Sequence, residues 1–275
     1  MCVRSCAVVL LFAVLGPTLA AGGDPRMMAE LTLAETSASY ADDPAWGWWD
    51  AAKYDDWQPV AVQEVGLVGA RLVSERDTYT VLLAAERYPT LRASASWTDP
   101  ATGAMTDALS AEHETYDLAL GQRLVLSRGA NLMPWVGLTY LHIEETRESG
   151  PAFSPAPDQP VETADTRLWG AVLGVDGDVP LASRLAVTVR LAARWGQGAR
   201  EAKLLSDPVS PGEPEVDWVK LSDDTSRAMY GAELGLRWLV GSKLELGAGW
   251  RYRDWRYDHG PASFDGAFVR LGVSW

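Results

Sequence analysis

The chain has 275 residues, of which 47% are apolar and 22% charged, and its formal net charge is −13. This composition is ordinary for a globular chain of one or two domains, and the acidic balance argues against nucleic acid as a partner. The charge is concentrated in residues 21–60, 144–165 and 200–224, where eight acids against two bases, six against one and seven against three give −6, −5 and −4. The rest of the chain is therefore close to neutral.

The N-terminus has the pattern of a secretory signal. Arg4 supplies a positive charge, Ala7–Leu15 are uninterrupted apolar residues, and Thr18–Ala20 resemble a small-residue cleavage site. The apolar run is too short to cross a bilayer as a helix, which takes about 20 residues. We expect residues 1–20 to be a signal peptide cleaved near Ala20, so that the mature chain loses both cysteines and has no disulfide.

The next stretch, residues 21–61, is acidic and rich in tryptophan. Its central part, residues 41–57, reads ADDPAWGWWDAAKYDDW. It precedes a long region, residues 62–275, in which polar and apolar residues are regularly patterned. We therefore expect residues 21–61 to form an N-terminal segment separate from the patterned domain.

Alternation of apolar and polar residues, which is typical of half-buried β-strands, runs through the patterned domain. It is least clear in Val65–Val73 and Tyr79–Glu86, where apolar residues fall on both faces. Weaker alternation is present in Leu91–Trp97, Tyr116–Leu124, Trp135–Glu144 and Trp169–Val175. Clear alternation is present in Leu185–Trp195, Ala228–Trp238, Leu244–Arg253 and Ala267–Trp275. We predict an all-β fold of about ten antiparallel strands, with roughly 8 and 12 as the limits.

The apolar face of these strands could form either a soluble core or a surface in contact with lipid. Three features favour lipid: aromatic residues end the apolar stripes, long and short connections alternate, and the opposite face mixes glycine with charge. The aromatic residues that we assign to the membrane interfaces are Trp97, Trp195, Trp238, Trp250 and Tyr252. A soluble exported β-protein stays the alternative.

The chain ends on Trp275, preceded at alternate positions by Val273, Leu271 and Val269. This ending resembles the last strand of bacterial outer-membrane β-barrel proteins of the small OmpA/OmpX-like class, although no motif points to one member. The resemblance implies a single transmembrane, antiparallel, up-and-down β-barrel in the outer membrane. It also implies that the barrel-assembly machinery reads these four residues, and that lipid and lipopolysaccharide surround a barrel that we expect to be monomeric.

On this assignment several charged residues face the lumen, namely Arg190, Arg194, Arg237, Arg251, Arg253, Arg270, Glu233 and Glu245. Charges in a narrow lumen must pair, so we predict a salt-bridge network with an excess of arginine. Residues 41–57 could fold back as an acidic plug for that excess, or could instead be a periplasmic tether or an interfacial amphipathic segment. Since side chains largely fill a lumen of about ten strands, we expect a structural role at the cell surface or a narrow pore.

An outer-membrane lipid acyl hydrolase is the enzymatic alternative, and it needs a nucleophilic serine beside a histidine. The three histidines are His113 near Ser110 and Glu112, His142 with Glu144 two residues on, and His259 beside Asp258. None has a serine two residues away, and the chain has no nucleophile elbow or His/Cys metal spacing. We therefore predict no catalytic site, cofactor or metal site.

Overall fold

The structure is a computed structural model that describes residues 26–40, 58–60, 65–75, 79–99, 103–151, 161–205, 218–257 and 260–275. The described residues lie almost entirely in β-strands. The strands are β1 (Arg26–Tyr40), β2 (Gln58–Val60), β3 (Val65–Glu75), β4 (Thr80–Asp99), β5 (Gly103–Gly121), β6 (Leu124–Val125), β7 (Asn131–Pro151), β8 (Val161–Ala182), β9 (Leu185–Leu205), β10 (Trp218–Val240), β11 (Leu244–Tyr257) and β12 (Gly260–Ser274). In this part of the chain no helix is long and apolar enough to cross a membrane. The expected signal peptide lies outside the described residues.

Ten of these strands close into one antiparallel up-and-down barrel, which confirms the predicted fold class. Each long strand pairs with its neighbours in the chain, and β1 pairs with both β3 and β12. The ring is sealed where the two ends of the chain meet, because Met27 N donates to Trp275 O and Trp275 N donates to Met27 O, each at 3.0 Å. The short strands β2 and β6 only extend β4 and β7 at their ends. A closed ring leaves no edge of unpaired backbone groups.

The first barrel strand comes from the N-terminal segment, so the boundary expected at residue 62 is wrong. In β1 the side chains of Leu31 and Leu33 are exposed on the outside, while Glu30, Thr32 and Ala34 are buried inside. This is the same alternation that marks the later strands. Sequence analysis did not identify the alternation in β1, because its inward positions include an acidic and a hydroxyl side chain. These residues made the stretch resemble the rest of the acidic N-terminal segment.

The last residues of β1 lie at the barrel end opposite Met27 and Trp275. Tyr40 is paired with Ala262 near the start of β12, and β2 pairs with Ser94–Ser96 near the far end of β4. The periplasmic tether and the interfacial segment stay predictions. Residues 41–57 themselves lie outside the described residues, and so does the proposed plug.

The outward face of the barrel carries the apolar stripes. On β9, Val189 and Leu191 are 39% and 45% exposed, while Arg194 on the other face is buried. Neighbouring strands place similar residues side by side: Leu120, Val136 and Leu173 form one cross-strand row, and all three are exposed. The strand faces assigned from the sequence are therefore correct for the clear strands.

The apolar belt covers only the half of the barrel nearest the chain termini. On β7 it extends from Leu132 to Tyr140, and a tilted strand crosses a bilayer with about 9–11 residues. The same strand continues to Pro151. At the far end β4 runs to Asp99 and β5 begins at Gly103, so these two strands are paired well beyond the belt.

An arginine placed in the belt should destabilise the barrel strongly. We expect Val189→Arg to lower the free energy of unfolding in lipid vesicles by about 2–4 kcal/mol, since the charge would enter hydrocarbon. Gln197→Arg, on the same face of β9 but beyond Trp195, is the matched control and should change it little. Urea titration followed by gel mobility without boiling measures both. Equal effects of the two substitutions would contradict an outward apolar belt in contact with lipid.

Candidate functional site

The eight charged residues predicted for the lumen all lie inside the barrel and take part in ion pairs. They occupy alternate positions of four adjacent strands, β9 to β12. Four of them are almost completely buried, namely Arg194, Glu233, Arg251 and Arg253. A charge at such a depth is tolerated only when its hydrogen bonds and its charge are satisfied by partners.

Glu233 is the centre of the network. Its carboxylate accepts hydrogen bonds from Arg251 Nη2 at 2.7 Å, Arg253 Nη2 at 2.9 Å and Arg270 Nη2 at 2.5 Å. Across the lumen, Glu86 Oε1 accepts from the same two arginines of β11 at 2.8 and 2.9 Å. Two carboxylates and three guanidinium groups therefore tie β4 to β10, β11 and β12.

A second cluster surrounds Glu30 on β1. Its Oε2 accepts a hydrogen bond from Arg190 Nη2 at 2.9 Å and lies 3.8 Å from Arg71 Nη1 and 3.9 Å from Arg270 Nε. Asp176 on β8 pairs with Arg71 and also lies 3.5 Å from Arg190 Nε. Because Arg190 Nη1 is 3.7 Å from the Glu233 carboxylate, the two clusters are continuous.

Arg194 makes a separate bidentate pair in the middle of the lumen. Its Nη2 donates to Asp117 Oδ2 at 2.7 Å and its Nε donates to Asp117 Oδ1 at 3.1 Å, while Thr139 Oγ1 donates to the same carboxylate at 2.8 Å. Bidentate pairing of this kind fixes both side chains and is the strong form of a charge-assisted hydrogen bond.

Arg237 lies nearer the termini and joins β10 to its neighbours. Its Nη2 is 3.3 Å from Asp178 Oδ2, and its Nη1 is 3.7 Å from Glu245 Oε2. Beyond it Arg123 pairs with Glu75 at the mouth of the barrel. Ion pairs thus extend from the level of Glu86 to the end of the lumen.

Among the described residues, the ion-paired network is balanced between arginines and carboxylates. The network from Glu30 to Glu245 holds seven arginines: Arg71, Arg190, Arg194, Arg237, Arg251, Arg253 and Arg270. It holds seven carboxylates: Glu30, Glu86, Asp117, Asp176, Asp178, Glu233 and Glu245. Glu30, Arg71 and Glu86 were missed because β1, β3 and β4 were the strands that the alternation identified poorly. The plug formed by residues 41–57 stays a prediction.

Apolar side chains fill the rest of the lumen. Leu82, Ala119, Met133, Trp135 and Val172 form a buried cluster beside the ion pairs. The Trp135 indole donates to Asp176 Oδ1 at 3.1 Å and so links the two kinds of packing.

Farther from the termini the lumen is mostly apolar. Leu141, Ile143, Leu168, Met229 and Phe264 are buried there almost completely. Two cavities among the lumen side chains have volumes of only about 70 and about 40 Å³.

Close packing also explains a glycine in the lumen. A Cβ added at Gly231 would lie 2.6 Å from Arg253 Nη1, so any larger residue would push this guanidinium away from Glu86 and Glu233. The glycines that alternate with charges in the sequence therefore leave room for long arginine side chains.

The predicted interfacial aromatics and the C-terminal residues lie on the outer wall. Trp195, Trp238, Trp250 and Tyr252 are all exposed there, whereas the side chain of Trp97 lies outside the described residues. Val269, Leu271, Val273 and Trp275 form the exposed face of β12 between β1 and β11. Recognition of these four residues by the barrel-assembly machinery stays a prediction.

Of the three histidines, the structure describes His113 and His142. His113 is buried in the lumen with its ring 6.1 Å from the ring of Phe264. His142 points outward, and its described neighbours are the carboxylates of Glu114, Glu144 and Asp165 and the ring of Tyr140. His259 lies outside the described residues. Sequence reasoning paired His142 with Glu144 but missed Asp165, which the next strand supplies.

No protein-family model matches the chain, and no curated protein matches it either. Among solved structures it is similar to the outer-membrane protease OmpT from Escherichia coli, at 8% identity over 93% of this chain and 99% of that one, with a TM-score of 0.57. Weaker similarities include the translocator domain of the autotransporter NalP from Neisseria meningitidis (10% identity, 99% and 96% covered, TM-score 0.43). Another is the outer membrane protein OprG from Pseudomonas aeruginosa (11% identity, 91% and 95% covered, TM-score 0.37). The similarity to OmpT shows that the chain has the barrel fold of outer-membrane proteins.

Neutralising the centre of the network should cost far more stability than neutralising a pair on the outer wall. We expect Glu233→Gln to lower the free energy of unfolding by about 3–5 kcal/mol, because it leaves buried guanidinium groups without their carboxylate. Asp254→Asn removes the partner of the exposed Arg256 on the outer wall and should cost at most about 1 kcal/mol. Denaturant titration of the refolded proteins compares them. If Glu233→Gln lowers the free energy of unfolding by less than Asp254→Asn does, Glu233 does not organise the lumen.

Proposed function

We propose that the protein is a monomeric β-barrel of the bacterial outer membrane that does not conduct ions and has a structural role at the cell surface. The observation that carries the proposal is the filled lumen, in which a balanced ion-pair network and apolar side chains occupy the cross-section at successive levels. A narrow pore is the competing role, and the packing of these side chains favours the closed barrel.

The outward belt supports the membrane location. Hydrocarbon offers no hydrogen bonds, so only closed barrels and helices cross it, and the barrel presents apolar side chains to the outside and charges to the inside. Lipid and lipopolysaccharide are the expected surroundings of this belt. The barrel-assembly machinery is the expected partner of the strand that ends in Trp275.

The burial and mutual pairing of the charged side chains in the lumen argue against ion conduction. Pores that select ions line a water-filled passage with side chains or carbonyl groups that can exchange ligands. Here the buried carboxylates of Glu233 and Asp117 accept hydrogen bonds from Arg251 and Arg194 respectively. The cavities of about 70 and about 40 Å³ lie among these pairs and hold no more than a few water molecules.

The height of the barrel supports a role at the surface. Strands such as β8 and β9 continue well beyond the aromatic residues Trp169 and Trp195 that end the apolar belt. The apolar core inside the upper half, around Leu168 and Phe264, gives these extensions the rigidity of a packed domain. The barrel would thus hold its outermost connections at a fixed height above the membrane.

Conductance in planar bilayers tests the proposal. The wild-type protein should show no channel openings above the lipid background. The variant Glu86→Ala/Glu233→Ala/Arg251→Ala/Arg253→Ala removes two acids and two bases, so it widens the lumen without changing its net charge, and it should conduct.

Gel mobility with and without boiling shows whether the variant is still a closed barrel. Steady single-channel openings of the wild-type protein would contradict the closed barrel and favour the narrow pore. A folded variant that shows no channel openings would mean that the ion pairs are not what prevents ions from passing through the lumen.

A further inference from the structure

The outer wall of β5, β7 and β8 carries an ordered set of polar residues just beyond the apolar belt. The belt ends there on a row of three aromatic residues, Tyr116, Tyr140 and Trp169, which are directly paired across the three strands. The ring centroids of Tyr140 and Trp169 are 4.5 Å apart. Tyrosine and tryptophan prefer the level of the lipid headgroups, so this row marks the membrane interface.

Two rows of charged residues follow on the same face. The first consists of Glu114, His142 and Arg167, and the second of Glu112, Glu144 and Asp165, to which β9 adds Glu201. Like charges directly opposite each other destabilise a sheet. Four carboxylates side by side on adjacent strands are therefore unfavourable unless cations compensate them.

Arginines compensate this row only in part. Arg87 Nη2 donates to Glu112 Oε2 at 2.7 Å, and Arg167 Nη2 donates to Asp165 Oδ2 at 2.6 Å. The second oxygen of Asp165, Oδ1, is buried and has no hydrogen-bond partner in the described part of the chain. The same holds for Nε2 of His142, which faces it.

Three ligand atoms converge at this point. His142 Nε2 lies 3.4 Å from Asp165 Oδ1 and 3.5 Å from Glu144 Oε1, and one atom from each residue lies within 4.8 Å of the others. Nitrogen and oxygen ligands bind Zn²⁺ at about 2.0–2.2 Å with tetrahedral geometry, which places neighbouring ligand atoms about 3.3–3.6 Å apart. Both distances from His142 Nε2 fall in this range.

The ring of His142 is also oriented for metal binding. Its Nδ1 faces Glu114 Oε2 at 3.8 Å, and Glu114 is held by the hydroxyl of Tyr116 at 3.0 Å and by Arg87 Nε at 3.3 Å. Tyr140 stacks on the other side of the imidazole, with an interplanar angle of 22°. With a metal bound at Nε2, the Glu114 carboxylate on the Nδ1 side would accept the remaining ring proton and orient the imidazole.

We propose that His142, Glu144 and Asp165 bind one divalent transition-metal ion, of which Zn²⁺ is the representative, on the outer wall at the membrane interface. The imidazole distinguishes this site from those of Mg²⁺ and Ca²⁺, which prefer ligand sets made of oxygen alone. Three protein ligands leave a fourth position for water or for an anionic oxygen from the surroundings. The proposal does not depend on whether the barrel conducts.

Isothermal titration of the full chain, refolded in detergent, with Zn²⁺ tests the site. The wild-type protein should bind one ion per chain. His142→Ala and Asp165→Asn should each weaken binding at least about tenfold, and Glu114→Gln should weaken it by about tenfold because it releases the ring. Mg²⁺ titrated under the same conditions should not compete.

Two variants serve as controls. Asp254→Asn removes an outer-wall carboxylate that, like Asp165, pairs with an arginine two residues on, but its cross-strand partners are Tyr230 and Ser263. His113→Ala removes a histidine buried in the lumen. Both should bind Zn²⁺ as the wild type does, and the mobility shift on boiling verifies that every variant is folded. Binding that survives His142→Ala, that is lost equally in Asp254→Asn, or that is absent from the folded wild type would overturn the proposal.

Discussion

Backbone pairing between the first and last strands is the constraint on which the barrel depends. Lipid cannot satisfy the N–H and C=O groups of an open sheet edge, so a membrane sheet must close on itself. Here β1 and β12 close it along their whole length, from Met28 opposite Ser274 to Tyr40 opposite Ala262. A strand hidden in an acidic stretch of sequence is therefore as essential as the C-terminal strand.

Closure also determines what the interior must contain. Strand geometry sends every second side chain inward, and a ring of ten strands leaves space for those side chains and little else. Long arginines reach across this space, and each carboxylate binds arginines from more than one strand, as Glu233 and Glu30 do. The network is thus a means of filling a lumen and of linking non-adjacent strands at once.

The sequence predicts the fold class and most of the inward and outward faces, but only where the pattern is locally visible. Strands such as β9 and β10 alternate cleanly because their outward positions are largely apolar, whereas their inward positions carry small or charged residues. In β3 and β4 apolar residues fall on both faces, and β1 carries acid on its inner face, so Glu30 and Glu86 escaped assignment. The partner of His142 on the next strand, Asp165, escaped as well, because a single sequence does not show the register between strands.

A disulfide test of the β1–β12 pairing addresses the central claim most directly. The only cysteines lie in the N-terminal residues that precede Ala7. In a chain whose Cys2 and Cys6 are replaced by serine, Leu31→Cys/Leu271→Cys should cross-link on mild oxidation, because these residues are directly opposite each other. So should Leu246→Cys/Leu271→Cys, whereas Leu31→Cys/Leu246→Cys should not, since β12 lies between them. Failure of the first pair while the second forms, or equal cross-linking of the third, would contradict closure of the barrel by β1.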